Sequence, residues 1–332
     1  MNAAAAYAPV RPSESVLSVI QDRITQKDWL ARNGFPIGPW RAVRSLDELR
    51  AAVTELGGKC FCKSATGGYD GRGQGKVGFT SCHSDPEAKP HGEESPHLSL
   101  FEQEIRGAWK ALGEGPGVVE QAIDLDREIS VMVARSPSGQ VEVYPAAWNH
   151  HENQILAWSV IPAPLPDALA AEARALAEAI ANSFLLEGIL AVELFVTKDG
   201  RLLVNELAPR PHNSYHASER ACVTSQFEQL VRAVCNLPLG ATTVVQPCAI
   251  ANLLGDLWVN PANSGSTTAS PLEPRTSSLG PRFDRALAVP GVRLHLYEKL
   301  RPRKGRKMGH LSAVASTPEE AVARVQRAMQ LL

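Results

Sequence analysis

The sequence predicts an α+β fold whose sheets are mostly antiparallel. Between residues 117 and 148, three apolar runs rich in β-branched residues follow one another with no helical segment between them, which is typical of antiparallel strands. A stripe of apolar residues three or four positions apart predicts a helix over residues 166–184. Residues 189–208 then hold two apolar runs joined by Asp199-Gly200, a pair typical of a two-residue hairpin turn.

Length and composition indicate an ordinary soluble protein. The chain has 332 residues, of which 44% are hydrophobic and 21% charged, enough for two or three packed units. Its 34 basic and 35 acidic residues nearly cancel, so charge gives no reason to expect nucleic acid or a membrane surface as a partner. No apolar run approaches the roughly 20 residues of a membrane helix, and the start of the chain lacks the features of a secretory signal.

The six cysteines argue against a structural zinc site, because no Cys-x-x-Cys pair occurs. Cys60 and Cys62 alternate along a short apolar run that is typical of a strand. Both should therefore lie on one buried face as small hydrophobic side chains in a reducing compartment. The cytoplasm is the expected location.

The first half of the chain is predicted to begin with a loose tail at residues 1–16. A helix follows until Gly34, and a second helix is opened by a capping box in which Ser45 precedes Glu48 by three positions. The later segments are a strand at 59–64, a glycine-rich loop at 65–75, a solvated polar loop at 80–98 and a helix at 101–112.

The second half is predicted to combine strands and helices. Strands are expected at 117–123, 128–136 and 141–148, and a further helix at 225–236 follows the hairpin. Residues 260–284 are rich in Pro, Ser and Gly and form a connection. The final helix begins after Thr317, with Pro318 at its first position.

The glycine-rich loop does not match the common nucleotide-binding motifs. A Walker A loop is excluded because Asp70 stands where a glycine is required and Val77 where a serine or threonine is required. Residues 73–78 match Gly-x-Gly-x-x-Gly, but no helix follows them, so the dinucleotide-binding context is missing. The remaining alternatives are a flexible loop whose amides and Arg72 cover phosphate groups, and a plain surface turn.

The hairpin predicts an unusual pair of glutamates. If its turn is tight, Lys198 pairs with Arg201, and Glu193 lies directly opposite Glu206 on an apolar face. Like charges about 5 Å apart should repel each other. A cation such as Mg²⁺ between them would turn this repulsion into ligation, with Asn205 as a third oxygen donor if the strand bulges there. The alternative is one glutamate at a strand end, facing solvent.

Two histidine-containing groups are further candidates. Arg210, His212 and Asn213 follow the second hairpin strand at once and offer hydrogen-bond donors to an anion. His150 and His151 end a run of strand residues, and a loop pair is predicted for them rather than a pair of ligands.

A basic run lies near the C-terminus. Five arginines or lysines surround a glycine between residues 301 and 307. Such a run is usually a solvated face, but the glycine and the adjoining turn are equally compatible with a pocket for a phosphate group.

Together these segments resemble the ATP-grasp superfamily and, within it, the N5-carboxyaminoimidazole ribonucleotide synthase family of purine biosynthesis. The resemblance covers about residues 12–310 and depends on long, specific motifs. They are QDR at 21–23, KSATGGYDGRGQ at 63–74, VVEQ at 118–121 with Glu128 after it, VELF at 192–195, NELAPRPHNS at 205–214, SQFEQ at 225–229, PLG at 238–240, HLYEK at 295–299 and GRKMGH at 305–310.

The resemblance implies an ATP-grasp fold, in which two α+β subdomains clasp ATP, with a small C-terminal β-rich domain. The implied division is a tail at 1–16, a first ATP-grasp part with the glycine loop at 17–115, an ATP-grasp core with the hinge and hairpin at 116–240, and a substrate-phosphate domain at 241–332. Family members normally carry a Rossmann-like domain of roughly 90 residues before QDR, whereas about 20 residues precede it here. Because that domain helps wall the ribonucleotide site, ATP is expected to bind while carboxylation is poorly coupled.

The resemblance also implies roles for individual residues. Arg23 and Lys63 would hold the ATP phosphates, residues 120–123 the adenine and Glu128 the ribose. The complete nucleotide set is Arg23, Lys63, Gly68, Tyr69, Asp70, Gly71, Arg72, Gly73, Gln74, Glu120, Gln121, Ala122, Ile123, Glu128, His151, Asn205 and Glu206. The implied Mg²⁺ ligands are Glu193 and Glu206. The implied catalytic residues are Tyr69, Asp70, Arg72, Arg210 and His212. The substrate phosphate would bind to Lys299, Arg306 and Lys307.

The implied reaction is the ATP- and bicarbonate-dependent carboxylation of the exocyclic amine of 5-aminoimidazole ribonucleotide through carboxyphosphate. ATP and Mg²⁺ are the expected cofactors, and the ribonucleotide and bicarbonate are the expected partners. The protein could form a homodimer, and neither nucleic acid nor a membrane is expected as a partner. The alternatives are another ATP-grasp carboxylase or formyl transferase, and a nucleotide-binding remnant without turnover. Tyr215 replaces the glycine that is usual after HNS, close to the metal and anion cluster.

Overall fold

The structure, a computed structural model, describes residues 7–67, 73–79, 96–259 and 280–332. Its chain forms two compact units. The small unit comprises Glu14–Asp126 and Thr197–Asn205, and the large unit comprises Met1–Ser13, Arg127–Val196 and Glu206–Leu332. Each unit combines segments that are distant in sequence, whereas the sequence-based division used contiguous segments, whose bounds stay a prediction.

The small unit holds a four-stranded antiparallel sheet in the order β1-β4-β2-β3. Its strands are β1 (Trp40–Val43), β2 (Cys60–Ser64), β3 (Gln74–Val77) and β4 (Gly117–Gln121). Its helices are α1 (Glu14–Ile20), α2 (Arg23–Arg32), α3 (Leu46–Glu55) and α4 (Pro96–Ala111).

One face of this sheet packs against α3 and α4 to form an apolar core. Cys60 and Cys62 of β2 are fully buried there, with Leu49 of α3 and Ile105 of α4. Burial raises the pKa of the Cys60 thiol to about 11 and that of Cys62 to about 12, so neither is a ready nucleophile. The predicted burial of both thiols on one face is confirmed.

Two glycines of the Gly-x-Gly-x-x-Gly segment are required by packing within the small unit. Gly75 lies in β3 against α4, where an added Cβ would lie 2.7 Å from Ala108 Cα and 2.9 Å from Ala108 Cβ. Gly78 has φ +79°, and an added Cβ there would meet the carbonyl oxygen of Gly58. The Gly78 amide also donates to Glu104 Oε2 at 2.7 Å. These close approaches account for both glycines without a ligand.

The large unit contains most of a nine-stranded sheet in the order β10-β9-β5-β7-β8-β11-β13-β12, with β6 paired to β5. The strands are β5 (Leu125–Arg135), β6 (Val141–Val143), β7 (Ala147–Glu152), β8 (Ile155–Ile161), β9 (Gly188–Thr197), β10 (Leu202–Ala208), β11 (Cys248–Leu254), β12 (Val292–Leu296) and β13 (Lys307–Val314). The helices are α5 (Asp167–Ser183), α6 (Ser218–Ala221), α7 (Gln226–Val234), α8 (Asp256–Val259), α9 (Phe283–Leu287) and α10 (Pro318–Gln330), with a 3₁₀ turn at Asn213–Tyr215.

The strand β11 lies inside the large sheet and is buried on both faces. Ile250 packs in a cluster with Tyr215, whereas Ala249 and Ala251 pack in a second cluster with Val325 of α10. Because both faces are apolar, the strand has no alternation of polar and apolar residues. This explains why its sequence did not predict a strand.

Most predicted helices and strands are confirmed, including the capping box, in which Ser45 Oγ accepts from Glu48 N at 3.2 Å. The helix predicted to end at Gly34 is two helices, because Asp22 caps α2 by accepting from Thr25 N at 2.8 Å. α1 begins inside the predicted tail, and residues 141–148 fall in two strands. Of the predicted polar loop, residues 80–95 lie outside the described residues and the rest belongs to α4.

None of the helices in the described part of the chain is both long enough and apolar enough to span a lipid bilayer.

The turn between β9 and β10 is one residue longer than predicted. Gly200 N donates to Thr197 O at 2.9 Å, and Thr197 N donates to Arg201 O at 3.0 Å. Thr197 Oγ1 accepts from Arg201 N at 2.9 Å, which stabilises this wider loop. The predicted pairing of Lys198 with Arg201 is therefore wrong, and the register that placed the two glutamates opposite each other no longer follows from the turn.

Gly75→Ala should lower the free energy of unfolding by about 1–3 kcal/mol, the usual effect of overpacking, because its Cβ would overlap the backbone of α4. Gly107→Ala is a matched control in the same helix, since an added Cβ there meets nothing within 4 Å. It should be neutral or stabilise by up to about 1 kcal/mol. Urea denaturation of both variants measures the difference, and equal stabilities would contradict the close approach of β3 to α4.

Candidate functional site

In the small unit, a buried carboxylate lies between two lysines. Glu120 Oε1 is 2.5 Å from Lys27 Nζ, and Glu120 Oε2 is 2.6 Å from Lys63 Nζ. Glu120 of β4 is directly opposite Phe61 of β2, so Lys63, two residues along β2, projects from the same face. The helix α2 supplies Lys27, which no local sequence pattern distinguished from an ordinary exposed lysine.

The two ammonium groups keep Glu120 ionised despite its burial. Burial by itself raises the pKa of this carboxyl, but the charges of Lys63 and Lys27 and their hydrogen bonds outweigh it and lower the pKa to about 2. Removing the carboxylate of such a buried group leaves both ammonium charges without a counter-charge in a region of low dielectric constant. The resemblance assigned Glu120 to the adenine hinge, and the structure shows that its side chain also holds Lys63 in place.

Both predicted phosphate-binding cations lie at the carboxyl end of β2. Lys63 Nζ donates to Asn205 Oδ1 at 3.1 Å, and Arg23 Nη1 donates to Ser64 O at 2.9 Å. Ser64 N donates to Gly73 O at 2.8 Å, which ties the end of the glycine loop to the same strand. The small unit thus brings together four predicted nucleotide residues from separate segments: Arg23, Lys63, Gly73 and Asn205.

The predicted adenine hinge forms the end of β4 and the residues after it. Gln121 N donates to Pro39 O at 3.0 Å, and Ala122 N donates to Lys59 O at 2.9 Å. These bonds fix the path of the backbone there. Contact of residues 120–123 with adenine stays a prediction.

In the large unit, two carboxylates are paired with imidazoles. Glu128 Oε2 is 2.9 Å from His151 Nδ1, and Glu193 Oε1 is 2.9 Å from His212 Nε2. Burial lowers the pKa of His151, and so does the charge of Lys307. The hydrogen bond and charge of Glu128 and the charge of Glu193 outweigh both effects, so the pKa of His151 is raised overall. Three other predicted site residues, Glu128, Glu193 and Lys307, therefore act electrostatically on His151.

His150 and His151 lie in β7, so the prediction of a loop pair is wrong. A register shift between them gives the two side chains different surroundings. His150 stacks on Trp158 with ring centroids 5.0 Å apart and is 45% exposed, whereas the His151 side chain is 24% exposed and pairs with Glu128. The assignment of His151 to the nucleotide site stays a prediction.

The predicted Mg²⁺ site depends on two carboxylates. Among the described residues, no group of three or more His, Cys, Asp or Glu side chains is arranged to hold a metal ion. Glu193 and Glu206 would therefore need further oxygen ligands from the substrate or water, as is usual for Mg²⁺. Asn205, the predicted third donor, uses its Oδ1 to accept from Lys63.

Arg210 and Asn213 flank His212 as predicted, but in different surroundings. Arg210 is exposed, and its Nη1 donates to Pro211 O at 3.0 Å. The side-chain nitrogen and oxygen of Asn213 are buried and have no hydrogen-bond partner among the described residues. A buried amide in this state usually bonds to a water or a ligand, which is compatible with the predicted anion site.

Tyr215 points into the core. It is fully buried, its hydroxyl lies 2.9 Å from Ser130 O and 2.8 Å from Pro145 O, and its ring packs edge-on against Tyr144. The residue that replaces the family's usual glycine therefore anchors the 3₁₀ turn to the sheet.

A row of stacked rings lies near the C-terminal strands. His216 stacks on Phe227 at 5.6 Å and on His310 at 5.0 Å, and His310 stacks on His295 at 5.0 Å. Tyr297 Oη is 2.8 Å from His310 Nδ1. Burial and the neighbouring His310 lower the pKa of His216 to about 3, and burial and His295 lower that of His310 to about 4. Sequence reasoning missed this row because its members are far apart in the chain.

Two of the three predicted substrate-phosphate residues are joined by a hydrogen bond. Lys299 Nζ donates to Lys307 O at 2.7 Å, and Arg306 Nη1 donates to Arg301 O at 2.8 Å. These bonds give the basic segment a defined shape, and its role in phosphate binding stays a prediction.

Five predicted loop residues lie outside the described residues: Gly68, Tyr69, Asp70, Gly71 and Arg72. Their predicted nucleotide and catalytic roles stay predictions. Gln74, the last residue of the predicted loop set, is the first residue of β3.

Two family models match the chain. Residues 28–90 and 99–227 match the ATP-grasp domain, and residues 248–324 match the phosphoribosylaminoimidazole carboxylase C-terminal domain. An N5-carboxyaminoimidazole ribonucleotide synthase from Brucella melitensis is 36% identical over 92% of this chain and 73% of its own length. The chain belongs to this synthase family. The synthase from Bacillus subtilis is 35% identical over 95% of this chain and 71% of its own length.

Solved structures of the synthase family share the fold. The synthetase from Thermus thermophilus has a TM-score of 0.76 and 31% identity, with 98% of this chain and 77% of that chain covered. A synthase from Aspergillus clavatus complexed with ATP has a TM-score of 0.80 and 26% identity, with 99% of this chain and 77% of that chain covered. A synthase from the same organism in complex with ADP and 5-aminoimidazole ribonucleotide has a TM-score of 0.79 and 25% identity, with 99% of this chain and 78% of that chain covered. The predicted ATP-grasp fold and synthase resemblance are confirmed.

Glu120→Gln should lower the free energy of unfolding by about 3–5 kcal/mol at pH 7, because it leaves two buried ammonium groups without a counter-charge. The folded-state pKa of Glu120 is lowered, so its stabilising effect is complete above the ordinary pKa of about 4.3. That effect should be lost as the pH falls towards 2. Urea denaturation between pH 7 and pH 3 measures both effects.

Glu55→Gln is the control for this prediction, because Glu55 pairs with Arg41 on the surface, with 55% and 50% of their side chains exposed. It should change the free energy of unfolding by no more than about 1 kcal/mol. Similar losses in the free energy of unfolding of Glu120→Gln and Glu55→Gln would contradict the stabilising role of the buried carboxylate.

The row of stacked rings should make stability depend on pH in a separate range. In the unfolded chain these histidines take up protons near pH 6.5, whereas His216 and His310 resist protonation in the folded chain. Stability should therefore be complete above pH 6.5 and decline as the pH falls towards 4. His216→Phe should reduce the slope of this decline, and His150→Asn, at an exposed ring, should leave it unchanged. Urea midpoints from pH 7.5 to 4.5 provide the test, and equal slopes in all three proteins would disprove it.

Proposed function

We propose that this protein carboxylates the exocyclic amine of 5-aminoimidazole ribonucleotide, using bicarbonate and converting ATP to ADP and phosphate. The observation that carries the proposal is membership of the synthase family, with both the ATP-grasp domain and the carboxylase C-terminal domain matched in one chain. The ADP and ribonucleotide complex of the Aspergillus clavatus relative supports the same pair of ligands for this chain.

The cations at the end of β2 would bind the phosphates of ATP. Lys63 is held in an ionised group with Glu120, and Arg23 is fixed by its bond to Ser64 O. Because both are positioned before the ligand arrives, little side-chain freedom would be lost on binding. Gly73 and the predicted loop before it would then cover the phosphates with backbone N–H groups.

The carboxylates Glu193 and Glu206 would hold Mg²⁺, and their oxygen donors fit a hard cation. When bound, the ion supplies charge neutralisation at the transferring phosphoryl group. His212 Nε2 lies 2.9 Å from Glu193 Oε1, so this imidazole would orient the carboxylate, as outer groups commonly do for ligating carboxylates.

Bicarbonate would be held by the turn after β10. Arg210 carries guanidinium donors, and the buried side-chain amide of Asn213 has none of its hydrogen bonds filled by the described residues. A trigonal anion with three oxygens can use such a set of donors. Water must be kept from the carboxyphosphate formed there, and the predicted glycine-rich loop would supply that exclusion.

The function is tested by supplying ¹⁴C-bicarbonate, Mg·ATP and 5-aminoimidazole ribonucleotide. We expect a labelled carbamate on the ribonucleotide together with ADP. A label on a different amine or carbon acceptor would indicate another carboxylase. ADP without any labelled product would indicate uncoupled hydrolysis, and nucleotide binding without ADP would indicate a remnant that does not turn over.

Glu206→Gln should raise the Mg²⁺ concentration needed for half-maximal ATP binding by at least about tenfold, within the range reported for weakened metal sites. The metal-free protein should unfold at a urea concentration close to that of the parent, because the glutamine amide keeps the size and shape of the carboxylate that it replaces. Titration calorimetry with and without Mg²⁺ measures the first effect. Glu228→Gln, which removes only an exposed pair with Arg232, is the control. Unchanged Mg²⁺ dependence with a large loss of stability would show that Glu206 is structural.

A homodimer in the cytoplasm is part of the proposal. Four apolar side chains near α7 are exposed by 42% to 62%, namely Val223, Phe227, Val231 and Val245, and a second copy could cover them. The cysteines of the described segments are free thiols, in keeping with a reducing compartment. Sedimentation of the protein and of Val231→Lys tests the dimer, since the charge should dissociate a dimer built on this surface.

A further inference from the structure

A chain of buried hydrogen bonds begins on the side of His212 that faces away from Glu193. His212 Nδ1 is 2.8 Å from Ser214 Oγ, and Ser214 Oγ is 2.8 Å from Ser130 Oγ. Asn149 Nδ2 donates to Ser130 Oγ at 3.1 Å. Ser130 and Ser214 are fully buried and Asn149 is 4% exposed, so bulk water does not compete for these bonds.

The register of three adjacent strands brings these groups together. Asn149 of β7 is directly opposite both Glu128 of β5 and Ser159 of β8, and opposite residues share one face of the sheet. Ser130, two residues after Glu128, lies on the same face. Ser159 Oγ is 3.0 Å from Asn149 Oδ1 and 3.0 Å from Ser214 O, which ties the 3₁₀ turn to the sheet.

These polar side chains lie in strands that also carry fully buried apolar residues. Val131 and Val133 of β5 and Val160 of β8 are fully buried. A buried hydroxyl or amide destabilises a core unless it is hydrogen-bonded, and a partly satisfied network is worse than an apolar core. Here the network is satisfied from end to end, and its outer end is a predicted catalytic residue.

The donors and acceptors of this chain fit together in one direction. If His212 donates from Nε2 to the Glu193 carboxylate, a neutral ring has a lone pair on Nδ1 and needs a donor there. The Ser214 hydroxyl supplies it, then accepts from Ser130, which accepts in turn from the Asn149 amide. A proton on Nδ1 would reverse the links from His212 to Ser214 and from Ser214 to Ser130. Ser130 would then accept from both Ser214 and the Asn149 amide, and its own hydroxyl proton would lose the acceptor that it has in this chain.

We propose that Ser214, Ser130 and Asn149 keep Nδ1 of His212 as a hydrogen-bond acceptor and hold the ring proton on Nε2, and that Ser214 is thereby a positioning residue that keeps the imidazole N–H directed at Glu193. Its catalytic meaning depends on the proposed function, because His212 and Glu193 are assigned to the reaction there. The tautomer itself does not depend on that function and can be measured separately.

The tautomer is tested with protein labelled with ¹⁵N at histidine, at pH 7.5 and without nucleotide or metal. We expect the His212 signals, assigned by their loss in His212→Asn, to show a pyrrole-like Nε2 and a pyridine-like Nδ1. In Ser214→Ala, Nδ1 loses its donor, so both nitrogens should move towards the averaged shifts of mixed tautomers. A wild-type protein with the proton on Nδ1, or an unchanged pattern in Ser214→Ala, would overturn the proposal.

Ser218→Ala is the matched control, since it also removes a fully buried serine hydroxyl from the same segment. Ser218 bonds to Tyr215 O and Gln226 N and is not a member of the chain. It should leave the His212 tautomer unchanged. If Ser214→Ala does not fold, Ser130→Ala provides the second variant, in which Ser214 loses its donor and the tautomers should mix to a smaller extent. An unchanged pattern there would also overturn the proposal.

Kinetics then separate the positioning role from the proposed function. Ser214→Ala should reduce kcat for carboxylation by about 10- to 100-fold, as outer-group substitutions do at comparable sites, and leave KM for ATP within about twofold. Mixed tautomers with unchanged kcat would refute the positioning role. A wild-type protein with the expected tautomer but no carboxylation would refute the proposed function alone.

Discussion

The strand register of β5, β7 and β8 is the constraint on which the polar part of the large unit depends. It places Glu128, Asn149 and Ser159 in a line across the sheet, with Ser130 beside them. Because side chains alternate between faces, a slip of one residue would send the whole line to the opposite, apolar face. The pairing of Glu128 with His151 and the hydrogen bonds that reach His212 both follow from this single register.

The two units stabilise buried polar groups by different means. The small unit places a full negative charge between two positive ones, and the pKa of Glu120 falls to about 2 because the two ammonium groups outweigh the effect of burial. The large unit uses neutral hydroxyl and amide groups whose donors and acceptors match in sequence. A charge cluster suits a site for phosphates, whereas a neutral network can fix the direction of one N–H bond without adding charge beside a carboxylate.

The family comparisons and the geometry contribute different parts of the functional picture. The family relationship supplies the reaction, since ATP-grasp folds serve many chemistries and fold alone does not choose among them. The geometry shows which side chains are held before any ligand binds, such as Lys63 by Glu120 and His212 by Ser214. It also shows that Tyr215 is a core residue that supports the turn, although its position in the motif suggested a place beside the anion site.

The sequence by itself determined the elements whose signals are local. Ser45 and Glu48 form their capping box, and the alternation around Cys60 and Cys62 marks a half-buried strand, because both depend on residues only a few positions apart. Long motifs also identified the family and most candidate residues. Tertiary structure alone decided the partners of those residues: Lys27 for Glu120, Ser214 and Ser130 behind His212, and the row from Phe227 to His295. It also corrected the hairpin, where the Thr197 hydroxyl favours a wider turn than Asp199-Gly200 predicts. These contacts join residues that are tens of positions apart or depend on one side-chain hydrogen bond, and periodicity in a sequence records neither.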